Sequence, residues 1–270
     1  MKIVWCVAGI AAMAAVGAAA QGQGAADQDK VAVRQAAYDY GEGFYEGAAE
    51  RMERGVHPGI IKRGVVPAPG GGLILAPMNA ETLVELTRGG AGKGVAPDKR
   101  NITFELLDIR DDVASAKIFT TGFNDYLHLV KQDGRWRIAH VLWQPPSPKG
   151  VANAEADKAA VAQVVKDFLG AVASGEVAPI ERLAHPEAAL RSFRQAAPGG
   201  KFFLVEGNRD GVVASIRAKR MAPFSSPSVT VLDVYDNIAS VLMTTSNGPL
   251  AYWHLVKQND QWRVVNLLIR

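Results

Sequence analysis

The chain has 270 residues, too many for one ordinary domain and comfortable for two. Hydrophobic residues make up 48% and charged residues 21%, which supplies packed cores and excludes a disordered chain. The formal net charge is +3, and the basic residues are scattered rather than striped, which argues against nucleic acid as a partner.

Residues 1–20 differ from the rest. Lys2 is the only charge, Ile3 to Ala20 is apolar or small, and Ala18-Ala19-Ala20 precedes Gln21. A short positive start, an apolar stretch and an A-x-A end predict a cleaved secretory signal and a periplasmic or secreted mature protein. A retained anchor is the alternative, since about 18 residues just span a bilayer. Alanine and glycine make the stretch weakly hydrophobic, and no basic stop-transfer cluster follows, so stable membrane insertion after cleavage is not expected. The single cysteine, Cys6, lies inside this segment. The mature chain therefore offers no disulfide, thiolate metal site or cysteine nucleophile.

A first helix is predicted from Val33, Ala37, Tyr40 and Phe44, one apolar stripe at helical spacing, ending at Gly47. A short second helix runs from Ala48 to about Val56 and breaks at His57-Pro58, because proline disfavours helix in the residue before it. Pro69-Gly-Gly-Gly72 reads as a flexible connection; it lacks the Lys-Ser/Thr of a phosphate loop. A third helix is predicted over Asn79–Arg88, ahead of Gly89-Gly90. Strands follow at Ile102–Ile109, Val113–Thr121, Tyr126–Gln132 and Trp136–Trp143, with turns at Asp111-Asp112 and Asp133-Gly134. Helices first and an antiparallel meander after them give an α+β class. Gln144-Pro-Pro-Ser-Pro-Lys-Gly150 is a proline-rich connector.

The chain then repeats itself. Residues 29–58 align without a gap on 157–186: Asp29-Lys30 on Asp157-Lys158, Gly47 on Gly175, His57-Pro58 on His185-Pro186. Tyr126, His128-Leu-Val-Lys-Gln132 and Trp136-Arg137 return as Tyr252, His254-Leu-Val-Lys-Gln258 and Trp262-Arg263. The helix stripe returns as Val161, Val165, Phe168 and Val172, and strands are expected at Ser228–Val234, Ile238–Thr245, Ala251–Gln258 and Trp262–Ile269. The expected organisation is a signal over 1–20, a first domain over 29–145, a linker over 146–156 and a second domain over 157–270.

Tyr38-Asp-Tyr-Gly-Glu-Gly-Phe-Tyr-Glu-Gly47, Glu50-Arg-Met-Glu-Arg54 with His57-Pro58, and Asp125-Tyr-Leu-His-Leu129 with Lys131 and Gly134-Arg-Trp-Arg-Ile138 closely resemble the "Putative lumazine-binding" family. That family belongs to the nuclear-transport-factor-2-like (SnoaL-like) superfamily. The resemblance covers nearly all of 30–145. It is weaker over 157–270, where Lys166, Ala173 and Ala251 replace Tyr38, Tyr45 and Asp125. It implies two tandem cone-shaped domains, each a curved antiparallel sheet wrapped against helices with a pocket at the mouth. Members of the superfamily pair sheet to sheet, so packing between the two domains is expected as well.

Candidate pocket residues are Tyr38, Tyr45, His57, Asp125, Tyr126 and His128. Glu53 and His57, four apart on a helix, would share a face, as an acid–base pair or as a solvated charge and a helix-end cap. His128 is in strand phase with Tyr126 and Val130; that face either lines the cone or holds a core histidine. Asp125, one residue out of that phase, is a pocket-mouth acid or an ordinary strand-end residue. Tyr38 and Tyr45 point phenols into the pocket or pack over the sheet. His140 shares the phase of Trp136 and Ile138. The five histidines are isolated, without metal-binding spacing, and neither metal nor cofactor is expected. The expected function is binding of a small apolar or aromatic molecule, or scaffolding, centred on the first domain. The alternative is a cofactor-independent isomerase, dehydratase or cyclase using Tyr, His and Asp.

Overall fold

The computed structural model describes residues 11–147, 154–246 and 248–270. The predicted signal lies partly outside these residues, and of residues 11–25 only the helical backbone is described. The first domain runs α1 (Ala11–Glu46), α2 (Ala49–Gly55), β1 (Val56–Pro67), β2 (Leu73–Met78), α3 (Ala80–Arg88), β3 (Thr103–Arg110), β4 (Val113–Phe119), β5 (Asn124–Gln132) and β6 (Arg135–Gln144). The second repeats that order with α4 (Ala154–Ser174), α5 (Val177–Leu183), β7 (Ala184–Gln195), β8 (Phe202–Val205), α6 (Arg209–Arg217), β9 (Ser228–Tyr235), β10 (Ile238–Thr244), β11 (Ala251–Gln258) and β12 (Gln261–Ile269). Among the described residues no helix is long and apolar enough to cross a membrane.

Each domain is α+β with one six-stranded sheet, ordered β2-β1-β6-β5-β4-β3 in the first and β8-β7-β12-β11-β10-β9 in the second. The four-stranded meander is antiparallel, as expected, and its turns are those the sequence announces. Asp111, Asp133 and Gly134 all take positive φ, the conformation a tight hairpin turn demands. The hairpin β1–β2 was not expected. Residues to which no element was assigned form two strands on either side of the expected Pro69–Gly72 connection, which turns at Gly71 and Gly72, and β1 lies parallel to β6. The sheet is therefore mixed rather than purely antiparallel.

One face of each sheet receives the helices. In the first domain Val33, Ala37, Tyr40 and Met52 pack on Ala116, Ile118, Leu127, Leu129 and Ile138. The motif shared by the two halves ties the first helix to the last hairpin: Asp29 accepts from Lys131 Nζ at 2.6 Å and from Trp136 Nε1 at 2.9 Å. Asp157 does the same with Lys257 and Trp262 at 2.8 and 3.2 Å.

The other faces pack on each other, sheet against sheet. Equivalent residues meet near a local two-fold axis: Ser115 Oγ lies 2.9 Å from Ser240 Oγ, and the His128 and His254 rings stack at 3.5 Å. Away from the axis the contacts are reciprocal, as an isologous interface requires. Tyr126 donates to Asp233 at 2.9 Å and Tyr252 to Asp108 at 2.7 Å. Gln132 donates to the Phe202 carbonyl and Gln258 to the Leu73 carbonyl.

Candidate functional site

Strand alternation decides which candidates face the helices. On β5, Leu127 and Leu129 join the helix-facing core, and Asp125 is in phase with them. Tyr126, His128 and Val130 point the other way, into the interface between the domains. The alternative that placed Tyr126 and His128 on the cone wall is therefore corrected. His140 is buried like Trp136 and Ile138, but on the opposite face. A register shift where β6 pairs with β5, between His128/His140 and Leu129/Ile138, turns His140 out of phase with Ile138 and Trp136. Its Nδ1 lies 3.3 Å from that of His128 at the interface.

Glu53 and His57 do not share a helical face. His57 is the second residue of β1; its Nδ1 accepts from the Gly59 amide at 3.0 Å and its Nε2 lies 2.9 Å from Gln132 Oε1. Glu53 is exposed and pairs with Arg88 at 3.4 Å. His185 repeats the local turn with the Glu187 amide, at 3.2 Å. Tyr38 is half-buried, 6.3 Å from the Phe104 ring and beneath the Arg34 guanidinium, away from the cavity.

The first domain holds a partly open cavity of about 340 Å³ between α1, α3, the 89–95 segment and the sheet. Its walls are mainly apolar and aromatic, with Phe44, Leu83, Phe123 and Trp143 among them. Tyr45 lines it, its ring stacked on Phe123 at 5.6 Å and its hydroxyl 2.8 Å from Thr120 Oγ1. The Gly122 amide donates to that hydroxyl at 3.2 Å.

Three ionisable groups from three elements meet at the inner wall. Lys62 comes from β1, Tyr40 from α1 and Asp125 from β5; all are buried. Lys62 Nζ donates to Tyr40 Oη, and Tyr40 Oη–H donates to Asp125 Oδ2. Lys62 Nζ lies 3.3 Å from the same Oδ2, while Asp125 Oδ1 has no partner. Burial is the dominant influence on each group. It lowers the Lys62 ammonium below its ordinary range, against the pull of Asp125. It raises the Asp125 carboxyl, against Lys62 and the Tyr40 hydrogen bond. It raises the Tyr40 phenol, and the Asp125 charge adds to the effect. Among the described residues Lys62 is the one basic side chain lining the cavity.

Sequence reasoning found Asp125 and Tyr45 and missed Lys62 and Tyr40. Tyr40 reads as one member of an apolar stripe, and Lys62 sits in a strand that was not expected. The repeat held the signal: the counterparts of Lys62, Tyr40 and Asp125 are Leu190, Phe168 and Ala251, a polar trio become apolar. In the second domain Trp253 stands where Leu127 stands, fully buried with its ring edge-on to Phe168 at 5.3 Å. Phe168 and Trp253 thus occupy the inner part of the cone there, where the first domain holds its polar trio. A concavity of about 430 Å³ remains at the cone's mouth, lined by Pro249 and Ile269, the counterparts of Phe123 and Trp143, and by Arg194, Arg220 and Arg270. Among the described residues no group of three His, Cys, Asp or Glu is disposed to hold a metal.

A comparison with curated proteins finds no match. Among solved structures, the chain is similar to an NTF2-like protein of unknown function from Silicibacter pomeroyi DSS-3, at 18% identity over 42% of this chain and 92% of that one, TM-score 0.34. A second, from Methylobacillus flagellatus KT and also of unknown function, is 19% identical over 44% and 94%, TM-score 0.34. A third, from Shewanella baltica OS155, is 13% identical over 44% and 97%, TM-score 0.35. The family model described as "Putative lumazine-binding" matches twice, over residues 28–144 and 156–268, and the chain belongs to that family as two tandem copies.

Proposed function

We propose that the protein is an exported small-ligand-binding protein whose site is the cavity of the first domain, with the second domain as its packing partner. The observation that carries this reading is the contrast between two copies of one fold. The first holds an apolar cavity of about 340 Å³ with a buried polar trio on its wall. The second replaces the polar trio with apolar side chains, Phe168 against Trp253 at its inner wall, and keeps only a concavity at the mouth lined in part by arginines. A mainly apolar enclosure with few convergent polar groups is how small-molecule sites are built. The occupant that suits it is compact and aromatic or apolar, with one polar group directed at Lys62 or the Tyr45 hydroxyl. Export is supported by the pattern from Lys2 to Ala20.

The test is to purify the protein from residue 21 onward and identify retained small molecules by mass spectrometry, then titrate an aromatic probe by isothermal calorimetry. Val95→Trp, at a half-buried lining position, should weaken probe binding at least about tenfold by filling the space. Arg220→Ala, at the outer concavity of the second domain, should leave it unchanged. The reverse pattern would place the site in the wrong domain. The acid–base alternative keeps one supporting observation, the contact of a carboxyl, a phenol and an amine at the cavity wall. Its histidine is replaced by Lys62, since His128 faces the interface.

A further inference from the structure

Lys62 is poorly explained as a structural cation. Its Nζ is surrounded by rings, 4.9 Å from the Trp143 centroid, 5.1 Å from Tyr40 and 5.7 Å from Phe123. Its hydrogen-bond partners are Tyr40 and Asp125. An ion pair so enclosed costs more to desolvate than it returns unless the remaining lone pairs are satisfied. They are not: Asp125 Oδ1 is buried with no partner. With Oδ1 unsatisfied the neutral form is the cheaper one to bury, which leaves the pair as a free amine and a carboxylic acid whose proton lies in the Oδ2–Tyr40 contact. The directions burial imposes on Lys62 and Asp125 agree with that assignment. A neutral primary amine facing an apolar cavity is a nucleophile. The pair carries no net charge, so it favours an uncharged partner over an anion.

We propose that Lys62 captures carbonyl compounds, forming an imine with a small apolar or aromatic aldehyde or ketone held in the cavity of the first domain. This rests on the reading of that cavity as the ligand site. The Nζ lone pair forms the N–C bond, and the carbonyl π pair moves to oxygen. That oxygen takes the Asp125 proton, relayed through the Tyr40 hydroxyl, and the Asp125 carboxylate takes one proton from the nitrogen. In the second stage the nitrogen lone pair forms C=N, the C–O bond breaks, and the hydroxyl leaves as water with the Asp125 proton. The products are a protonated imine, the Asp125 carboxylate as its counter-ion, and one water. No oxidant or reductant is required. Lys62 is the catalytic residue; Tyr40 and Asp125 hold and move the proton.

The probe is trans-cinnamaldehyde, incubated with the whole mature protein at pH 7 in sodium cyanoborohydride, which reduces an imine to a stable amine. Peptide mapping then reads the mass added at each lysine. Lys62 should be labelled once per chain and at least about tenfold faster than the exposed Lys93 and Lys166. Lys62→Arg should abolish that label. Asp125→Asn and Tyr40→Phe should slow it about tenfold or more and flatten the acid side of its pH–rate profile, which a purely structural role would not do. Labelling of Lys62 no faster than Lys93 in the folded wild-type protein overturns the proposal without reliance on any variant. Cinnamyl alcohol, which cannot form an imine, separates the two readings. If the alcohol binds but Lys62 is not trapped, the cavity stands and the amine chemistry falls. If neither compound binds, both fall.

Discussion

Asp125, Lys62 and Tyr40 show at residue scale what the duplication has done. One copy of the fold buries a carboxyl, an amine and a phenol in contact, and the other buries Ala251, Leu190 and Phe168 at the same places. The apolar version demonstrates that the fold does not need the polar one. Removing one member should be costly, because it leaves the others buried without their partner. Asp125→Ala is expected to destabilise the protein by about 2 kcal/mol, the cost of leaving buried polar groups without a hydrogen-bond partner. The combined change Asp125→Ala, Lys62→Leu, Tyr40→Phe copies the second domain and should recover most of that loss while losing retention of aldehyde or aromatic probes. Urea unfolding of the single and triple variants checks both values. A single variant within about 0.5 kcal/mol of wild type would mean the trio is not coupled. Of these three residues only Asp125 was legible in the sequence. A carboxylate outside the phase of its strand neighbours announces itself, whereas a tyrosine on an apolar helical stripe looks like packing and a lysine in an unexpected strand looks like surface.

At the scale of elements, legibility followed turn chemistry. The meander strands lie within two residues of where alternation and the Asp-rich turns place them, because those turns take positive φ at Asp111, Asp133 and Gly134. Strands β1 and β2 were not legible. His57-Pro58 and Pro67 punctuate them as a loop would, Lys62-Arg63 interrupts the apolar pattern, and what makes β1 a strand is its distant pairing with β6. The site of His140 was lost for a related reason: one register shift reverses the face that a strict period of two assigns. The β1–β6 pairing also shapes the cavity. Gly64 lies opposite Trp143, and a Cβ on it would meet the indole at 2.5–2.6 Å. Gly64→Ala should therefore push the Trp143 ring from the cavity wall, costing about 1–3 kcal/mol and weakening probe binding. Ser192→Ala, at the equivalent position beside Ile269, should be close to neutral. Thermal melts and Trp143 fluorescence read the two effects. An unchanged emission spectrum in Gly64→Ala would mean that the glycine does not set the ring position.

The whole molecule is held by an interface with three histidines buried at its centre, and this makes its stability depend on pH. His128 from β5 faces His140 from β6 and His254 from β11, and all three rings have an Nε2 with no partner. Asn266 from β12 lies 3.2 Å from His254 Nδ1, and Ser115 and Ser240 close the centre. Arg63 from β1 and Arg191 from β7 are the nearest fixed cations; Arg63 donates to Asn266, and Arg191 donates to the Ala139 carbonyl and pairs with Glu206. The carboxylates Asp108 and Asp233 belong to the periphery, engaged by Tyr252, Tyr126 and Lys117. Burial is the leading cause that holds all three histidines below their ordinary range; His128 is lowered further by the other two, His140 by Arg191, and His254 reaches about 3. A base whose folded pKa is depressed binds its proton more readily when unfolded, so the stability it contributes is complete above about pH 6.5 and is lost as pH falls from there toward its folded value. Each such histidine gives a slope of about 1.4 kcal/mol per pH unit in that window. Stability measured by urea unfolding should therefore be flat near pH 7.5 and fall steeply between about pH 6 and 4. His57 and His185 are also lowered, so they add to the slope and the central contribution must be isolated by substitution. Replacing His254 by Gln removes one titrating ring from the axis and should reduce the slope by about 1.4 kcal/mol per pH unit, whatever it costs at neutral pH. If that variant keeps the full wild-type slope, the histidines at the axis are not what makes the interface sensitive to acid.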